Sequence, residues 1–506
     1  MVTQLENFNI NTRSAGILLP VFSLPSPYGI GTFGRAAYEW VDFLSTSGQR
    51  YWQVLPLGPT GYGDSPYQSF SAFAGNPYFI DLDLLCEQGL LKHSECASAF
   101  WGKDESKVDY HAVAAGRDSL LRRAFSRFED IAALEEFAQT HAGWAIDYAL
   151  FTAIKSRVNP ASWQEWEQDI RVREPAATAR LESQLEGEIS YQLFVQYLFY
   201  RQWAALKDYA NQNGVGIIGD IPIYVAMDSA DTWGARELFL LGEDGCPTHI
   251  AGTPPDAFSS TGQLWGNPLY DWEALKATDY CWWVERMRAS LSIYDVVRID
   301  HFRGLESFYA IPAGSETALS GQWLKGPGME LIARLNSEFS PGRIIAEDLG
   351  LLTGEVRDLL KDSGYPGMSV LQFAFSPDEE SSYLPHNHRR HSVCYTGTHD
   401  NDTTRGWFSR QNPADVKKAI EYLGAEGSYA GRLAFIRAAL SSVANLAIVP
   451  IADYLSLGEQ ARINTPATLG EHNWSWRMQG SAATGKLAGE IARLTALYGR
   501  EKNRNT

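Results

Sequence analysis

The chain has 506 residues, which exceeds the usual size of one protein core, so we expect a large α/β domain with insertions or two domains. Its 60 acidic and 43 basic residues give a net charge of −17, which argues against nucleic acids and anionic membranes as partners. The five cysteines are scattered and never paired as CxxC, so we expect free thiols. The sequence contains neither a signal-peptide core nor an apolar run of 18 residues, and we predict a cytoplasmic protein.

Eight apolar segments, alternating with helical patterns, predict the strands of a closed parallel barrel. The first is followed by an amphipathic helix over about 36–47, and no internal repeat is present. The predicted strands cover residues 15–20, 51–57, 214–225, 296–300, 343–348, 368–375, 392–396 and 445–451. The fold class is therefore α/β, as a (β/α)8 or TIM barrel over 1–506.

Two connections are longer than a barrel needs. Residues 84–209 show helical periodicity and predict a mainly helical insertion after the second strand. Residues 240–290 follow the third strand and hold a segment rich in glycine, proline and aromatic residues over 251–268. We expect this loop-rich segment to form a lid over a site, and the alternative is a plain surface connection.

Three of the predicted strands run into acidic residues: Asp300, Glu347 and Asp400. Catalytic groups of a TIM barrel sit at the C-terminal ends of its strands, so this pattern predicts an active site. Glycoside chemistry needs one carboxylate as nucleophile and one carboxylic acid as proton donor. The alternative is that each acid caps the helix after its strand, since Asp is a favoured N-cap.

A retaining mechanism requires the two carboxyl groups about 5–5.5 Å apart, which acids on neighbouring strands can satisfy. We therefore predict Asp300 as nucleophile and Glu347 as acid and then base. Asp400 is predicted to hold ring hydroxyls and to stabilise the oxocarbenium-like transition state. Arg298 lies on the same strand face as Asp300 and would keep it ionised, while His399 either contacts the sugar or supports Asp400.

No metal site is predicted. The sequence His386-Asn387-His388-Arg389-Arg390-His391 resembles a ligand cluster, but its two arginines would oppose a cation, so we interpret it as a solvated turn. The glycine-rich loops lack the signatures of nucleotide sites.

These motifs resemble the amylomaltases, which are the 4-α-glucanotransferases or disproportionating enzymes of the α-amylase clan. The resemblance runs almost end to end. It is strongest in the segments GDSPYQ at 63–68, GDIP at 219–222, GQLWGNP at 262–268, RIDHFRG at 298–304, AEDLG at 346–350 and GTHDN at 397–401.

The resemblance implies a barrel without a C-terminal β-domain, no cofactor, and transfer of an α-1,4-glucan segment to the 4-hydroxyl of another maltooligosaccharide. It places the nucleophile, acid/base and third carboxylate on the same three acids. The family residues that contact substrate correspond to Tyr67, Asp220, Arg298 and His399 at the cleaved sugar, Gln263 and Trp265 in the lid, and Asn464 and Pro466 beside the donor.

Two positions depart from the family pattern. Ala257 replaces a common aromatic residue, and Ala467 follows Pro466 where glycine is usual. A closing lid with Trp265 and Phe258 would exclude water and favour transfer over hydrolysis. The alternative functions are an α-glucan hydrolase on the same scaffold and a catalytically idle glycan-binding protein. The oligomeric state does not follow from the sequence.

Overall fold

The computed structural model describes residues 8–255, 259–350, 352–377 and 380–501. Twelve strands lie in this part of the chain: β1 Ser14–Leu18, β2 Tyr51–Gln53, β3 Gly216–Ile221, β4 His249–Thr253, β5 Gln263–Pro268, β6 Val296–Ile299, β7 Ser307–Pro312, β8 Gln322–Lys325, β9 Ile344–Ala346, β10 Gly367–Val370, β11 Ser392–Tyr395 and β12 Leu446–Pro450.

Eight of the strands form one parallel sheet, in the order β10-β11-β12-β1-β2-β3-β6-β9. The two ends of the sheet meet where the Ala346 amide donates a hydrogen bond to the Pro366 carbonyl, 3.0 Å away. The chain therefore folds as a (β/α)8 barrel, and the predicted fold class is confirmed. Each of the eight predicted segments contains or overlaps one barrel strand, although the strands are shorter than predicted. Residues 368–375, for example, leave strand geometry after Val370 and enter a 3-10 helix at Leu371–Phe373.

The barrel strands form where apolar runs can be buried on both faces, as parallel strands between helices and barrel interior require. All residues of β3 and β6 are buried, including the polar ones near their C-terminal ends. Such buried polar groups need partners, and their partners belong to the site described below.

Nineteen α-helices lie in the described residues: α1 Arg35–Thr46, α2 Leu82–Glu87, α3 His93–Ala97, α4 Tyr110–Phe125, α5 Ile131–Thr140, α6 Ala145–Arg157, α7 Gln168–Arg171, α8 Pro175–Gln184, α9 Glu186–Gln212, α10 Ala230–Gly234, α11 Trp272–Ala277, α12 Cys281–Ile293, α13 Met329–Glu338, α14 Gly354–Ser363, α15 Thr404–Arg410, α16 Pro413–Leu423, α17 Gly427–Ser441, α18 Ile451–Tyr454 and α19 Gly485–Leu497. Helices α2 to α9 all fall between β2 and β3. Within the described ranges, no helix combines the length and apolar character needed to cross a membrane.

A second sheet was not predicted. Strands β5, β4, β7 and β8 form an antiparallel sheet in that order, and β4 and β5 occupy the two ends of the segment 251–268 that we expected to be loop-rich. That expectation was wrong for both ends. The physical reason is that β4 pairs with β7, some 60 positions further along the chain, and such long-range pairing leaves little local signal.

Candidate active site

The register between two barrel strands places Asp300 beside Glu347. Strands β6 and β9 pair with Ile299 opposite Ala346, and Asp300 and Glu347 are the next residues on each strand. The backbone pairing continues across them, since the Glu347 amide donates to the Ile299 carbonyl at 3.0 Å and the Phe302 amide donates to the Glu347 carbonyl at 3.0 Å. Neighbouring strands lie about 4.8 Å apart, so the two acids start from adjacent backbone positions at the C-terminal end of the barrel.

The side chain of Glu347 is held by two backbone amides. Its oxygens accept hydrogen bonds from the His301 amide at 2.6 Å and from the Leu349 amide at 3.0 Å. Burial, followed by the negative charge of Asp300, raises the pKa of Glu347 to about 7, in spite of the two amides and Arg298, which act in the opposite direction. A carboxyl group with such a pKa is suited to give and take a proton near neutral pH.

Arg298 connects Asp300 to a second buried acid. Its Nη1 donates to Oδ1 of Asp300 at 2.8 Å and to both oxygens of Asp220, at 2.8 and 2.6 Å. The side chain of Asp220 is 0% exposed, and it also accepts a hydrogen bond of 2.9 Å from the Tyr67 hydroxyl. Burial raises the pKa of Asp220, and Arg298 opposes that shift. The guanidinium group thus holds the side chain of Asp300 in position.

The third acid, Asp400, lies in the loop five residues after the end of β11. Asn464 donates to Oδ1 of Asp400 at 2.6 Å, and Nε2 of His399 lies 3.3 Å from Oδ2. Burial acts to raise the pKa of Asp400, but the charge and hydrogen bond of His399 and the hydrogen bond from Asn464 together hold it at about 2. Arg462 binds the Asp400 backbone carbonyl at 2.7 Å. Asp400 is therefore a fixed carboxylate at neutral pH.

Tyr67 and His399 join the two groups of acids. Their rings stack with centroids 5.1 Å apart, and Trp474 lies against both rings, at 5.7 and 6.0 Å. Tyr67 reaches Asp220 on one side, and His399 reaches Asp400 on the other. The aromatic rings therefore form a continuous wall between the two carboxylate groups.

A cleft of about 1080 Å³ opens above these residues, which is large enough for an oligosaccharide. Most of the predicted site residues line it, namely Tyr67, Gln263, Trp265, Asp300, His399, Asp400, Asn464 and Pro466. Asp220 and Arg298 are buried beneath, in contact with the lining residues, and Glu347 is bound to His301 of the cleft wall.

The second sheet brings β5 to the cleft. Trp265 packs edge-on against the His301 ring with centroids 4.8 Å apart, and its Nε1 donates to the Gln263 side chain at 3.3 Å. Gln68, from the loop after β2, donates to the Trp265 carbonyl at 3.3 Å and to the Asn267 side chain at 3.1 Å. The lid prediction also involved Ala257 and Phe258, which lie outside the described residues.

The capping alternative for the three acids is wrong. The helical turn after β6 has His301 as its N-cap residue, α14 after β9 has Thr353, and α15 after β11 has Thr403. Asp300 and Asp400 line the cleft instead, and Glu347 is held beside it by the His301 and Leu349 amides.

The three histidines of the 386–391 segment have separate partners. The His386 ring is hydrogen-bonded to the Tyr422 hydroxyl, the His388 ring to the Tyr383 carbonyl, and the His391 ring to the Gly364 carbonyl. They do not converge on a common point.

Sequence reasoning did not assign roles to His301 and Trp474, both of which line the cleft. Both take positive φ values, 53° and 58°. The signal that could have found His301 was local, because it lies in the segment 298–304 directly beside Asp300.

The comparisons with known proteins agree with one another. The family model described as 4-alpha-glucanotransferase matches residues 19–483. A 4-alpha-glucanotransferase of Clostridium butyricum is 48% identical over 95% of this chain and 99% of its own length. The chain belongs to the 4-alpha-glucanotransferase family. An enzyme of that name from Thermus thermophilus is 45% identical over 96% of this chain and 98% of its own.

The solved structures support the same assignment. The amylomaltase of Streptococcus agalactiae, solved in complex with acarbose, superposes with a TM-score of 0.94 at 39% identity, covering 97% of this chain and 100% of its own. The chain is therefore a 4-alpha-glucanotransferase, and the predicted family and activity are confirmed. The family assignment therefore disfavours the two alternative functions, an α-glucan hydrolase and a catalytically idle glycan-binding protein.

Proposed function

We propose that this 4-alpha-glucanotransferase moves α-1,4-glucan segments between maltooligosaccharides by double displacement, with Asp300 as nucleophile and Glu347 as acid and base. The observation that carries the proposal is the pairing of the two acids at one strand register, where burial and the charge of Asp300 raise the pKa of Glu347 to about 7. Acids on adjacent strands can bring their carboxyl groups to the separation of about 5–5.5 Å that a retaining mechanism requires.

In the first step, Glu347 donates its proton to the glycosidic oxygen while Asp300 attacks the anomeric carbon. The C–O bond of the donor breaks, the departing glucan leaves with a free 4-hydroxyl, and an ester forms between the remaining segment and Asp300. In the second step, ionised Glu347 takes the proton from the 4-hydroxyl of an acceptor, whose oxygen attacks the anomeric carbon and releases Asp300.

We assign Asp400 and Arg298 to electrostatic roles. Asp400 is a fixed anion beside the cleft and would stabilise positive charge on the sugar ring and bind its hydroxyls. Arg298 would hold the Asp300 carboxylate in position for attack through the 2.8 Å contact. His399, Tyr67 and Asp220 would hold the cleaved sugar and one another, and Asn464, Pro466 and Gln263 would contact the glucan along the cleft.

Whether the ester leads to transfer or to hydrolysis depends on whether an acceptor hydroxyl or a water molecule attacks it. Trp265 covers His301, the neighbour of Asp300, and would exclude water from the ester until an acceptor binds. The proposal treats 1–506 as one catalytic domain, with 84–209 as a helical insertion and 240–290 as the insertion that carries Trp265. A cytoplasmic location remains a prediction from the sequence.

Incubation with maltotriose tests the proposal. The parent should give glucose and longer oligomers with α-1,4 linkages at a constant total of reducing ends. Asp300→Asn and Glu347→Ala should each lose several orders of magnitude in rate while remaining folded. Asp358→Asn, an exposed acid on α14, is the matched control and should keep parental activity. An Asp300→Asn variant with more than a few per cent of parental rate would overturn the assignment.

A further inference from the structure

Two short helices at the start of the helical insertion carry ligand-type side chains at matching positions. Asp83 and Cys86 are three residues apart on α2, and His93 and Cys96 are three residues apart on α3. Residues spaced by three lie on one face of a helix. Each helix therefore presents one oxygen or nitrogen ligand and one sulfur ligand from the same face. This site lies apart from the residues to which we assign catalysis.

Three of the four side chains converge, and the fourth, Cys96, contacts Cys86. Oδ1 of Asp83 lies 3.3 Å from Nδ1 of His93, and Sγ of Cys86 lies 3.8 Å from Sγ of Cys96. The ligand atoms of Asp83, Cys86 and His93 all lie within 4.8 Å of one another. In a tetrahedral zinc site, bond lengths of about 2.3 Å to sulfur and about 2.0–2.1 Å to oxygen and nitrogen give edges of about 3.8 and 3.3 Å. Both measured pairs match these edges.

The guanidinium group of Arg117 is buried beside the cluster and has few hydrogen-bond partners. Arg117 is 1% exposed, and its Nε and Nη2 have no hydrogen-bond partner, while its Nη1 donates to the Ile80 carbonyl. Its guanidinium group packs on the rings of Tyr28 and Trp101, at 5.8 and 5.5 Å. The indole of Trp101 in turn donates to the Cys96 carbonyl at 3.2 Å. Asp81 already places a negative charge near Arg117, and two thiolates at the cluster would add to it.

We propose that Asp83, Cys86, His93 and Cys96 bind a structural zinc ion. A carboxylate, an imidazole and two thiolates balance two charges of Zn²⁺ and the charge of Arg117, and sulfur ligands select zinc over magnesium or calcium. The His93 side chain is 73% exposed and Asp83 is 46% exposed, so the ion can enter from solvent, while Cys96 closes the site from within.

The second coordination sphere is also in place. The Tyr28 hydroxyl donates to Oδ1 of Asp83, the kind of outer hydrogen bond that orients a carboxylate ligand. The ion would join α2 to α3, two helices of six and five residues that are too short to be stable alone. Among the residues whose placement is described, no other group of three or more potential ligands converges in this way.

The test is metal binding by the full-length, reduced protein. After incubation with ZnCl₂ and desalting, elemental analysis should find one zinc per chain. With CoCl₂, the spectrum should show a thiolate-to-cobalt charge-transfer band and the visible bands of a tetrahedral site, both abolished by added zinc. Zinc should also raise the Tm of the parent.

Variants separate this site from adventitious binding. Cys86→Ser should lose the charge-transfer intensity and the zinc-dependent shift in Tm, and His93→Ala, at an exposed position that folding tolerates, should weaken zinc binding by about 100-fold. Cys281→Ser, an exposed thiol on another helix, is the control and should behave as the parent. Failure of the reduced parent to retain zinc, retention of zinc by Cys86→Ser, or a Cys86–Cys96 disulfide that persists when zinc is supplied during purification would each overturn the proposal.

Discussion

Replacing Arg298 with methionine should destabilise the fold, and a second substitution should recover the stability but not the activity. Arg298 is 4% exposed and contacts both oxygens of Asp220, whose side chain is fully buried. In Arg298→Met, Asp220 retains only the Tyr67 hydroxyl as a side-chain partner, and removing one member of a buried ion pair costs about 3–5 kcal/mol.

In the double variant Arg298→Met/Asp220→Asn, both members of the buried ion pair are replaced by neutral side chains. Its free energy of unfolding should return to within about 2 kcal/mol of the parent, which gives a coupling energy of at least about 1–3 kcal/mol between the two sites. Its kcat/KM should stay far below that of the parent, because Asp300 has lost the guanidinium group that lies 2.8 Å from its oxygen.

Urea denaturation at neutral pH, followed by tryptophan fluorescence, measures the four members of the cycle, and maltotriose disproportionation gives the rates. Arg493→Met, at an exposed position on α19, is the control and should change stability by less than about 0.5 kcal/mol. If Arg298→Met unfolds at the same urea concentration as the parent, or if Asp220→Asn fails to recover stability, the buried ion pair is not what makes Arg298 necessary.

Three further predictions follow from the site. Because Glu347 must be protonated to act as the acid and has a pKa of about 7, kcat/KM for maltotriose should fall about tenfold per pH unit above that value, whereas a rate that is constant to pH 9 would contradict the assignment. Ala467→Gly should raise the free energy of unfolding by up to about 1 kcal/mol, since Ala467 has a φ of 59° and that backbone region favours glycine; a loss of stability in urea denaturation would refute this. Trp265→Ala should raise the ratio of hydrolysis to transfer, measured as new reducing ends per glucose released, and an unchanged ratio would show that the indole does not exclude water.

The barrel could be predicted from the sequence because parallel strands are buried on both faces and therefore appear as short, β-branched runs. The same runs located the acids. Strand β6, for example, begins with the β-branched residues Val296 and Val297 and is followed directly by Asp300. The register that sets Asp300 beside Glu347 is a property of two strands, and only the structure provides it.

Other features could not be predicted because they depend on distant parts of the chain. Strand β5 contains glycine, asparagine and proline, a composition typical of loops, and it forms through its pairing with β4. Cys86 and Cys96 are ten residues apart and appeared unrelated in the sequence. The turn between α2 and α3 is what brings their sulfur atoms to 3.8 Å.

The central claim is that Asp300 forms a covalent bond to the sugar, and the most direct test is to trap that bond. In Glu347→Ala, α-maltosyl fluoride can still react, because fluoride leaves without a proton donor, but the ester then lacks the base that activates an acceptor. Mass spectrometry of the acid-quenched, digested protein should find one maltosyl group on the peptide that contains Asp300. A maltosyl group on a different residue, or none while fluoride is still released, would contradict the account.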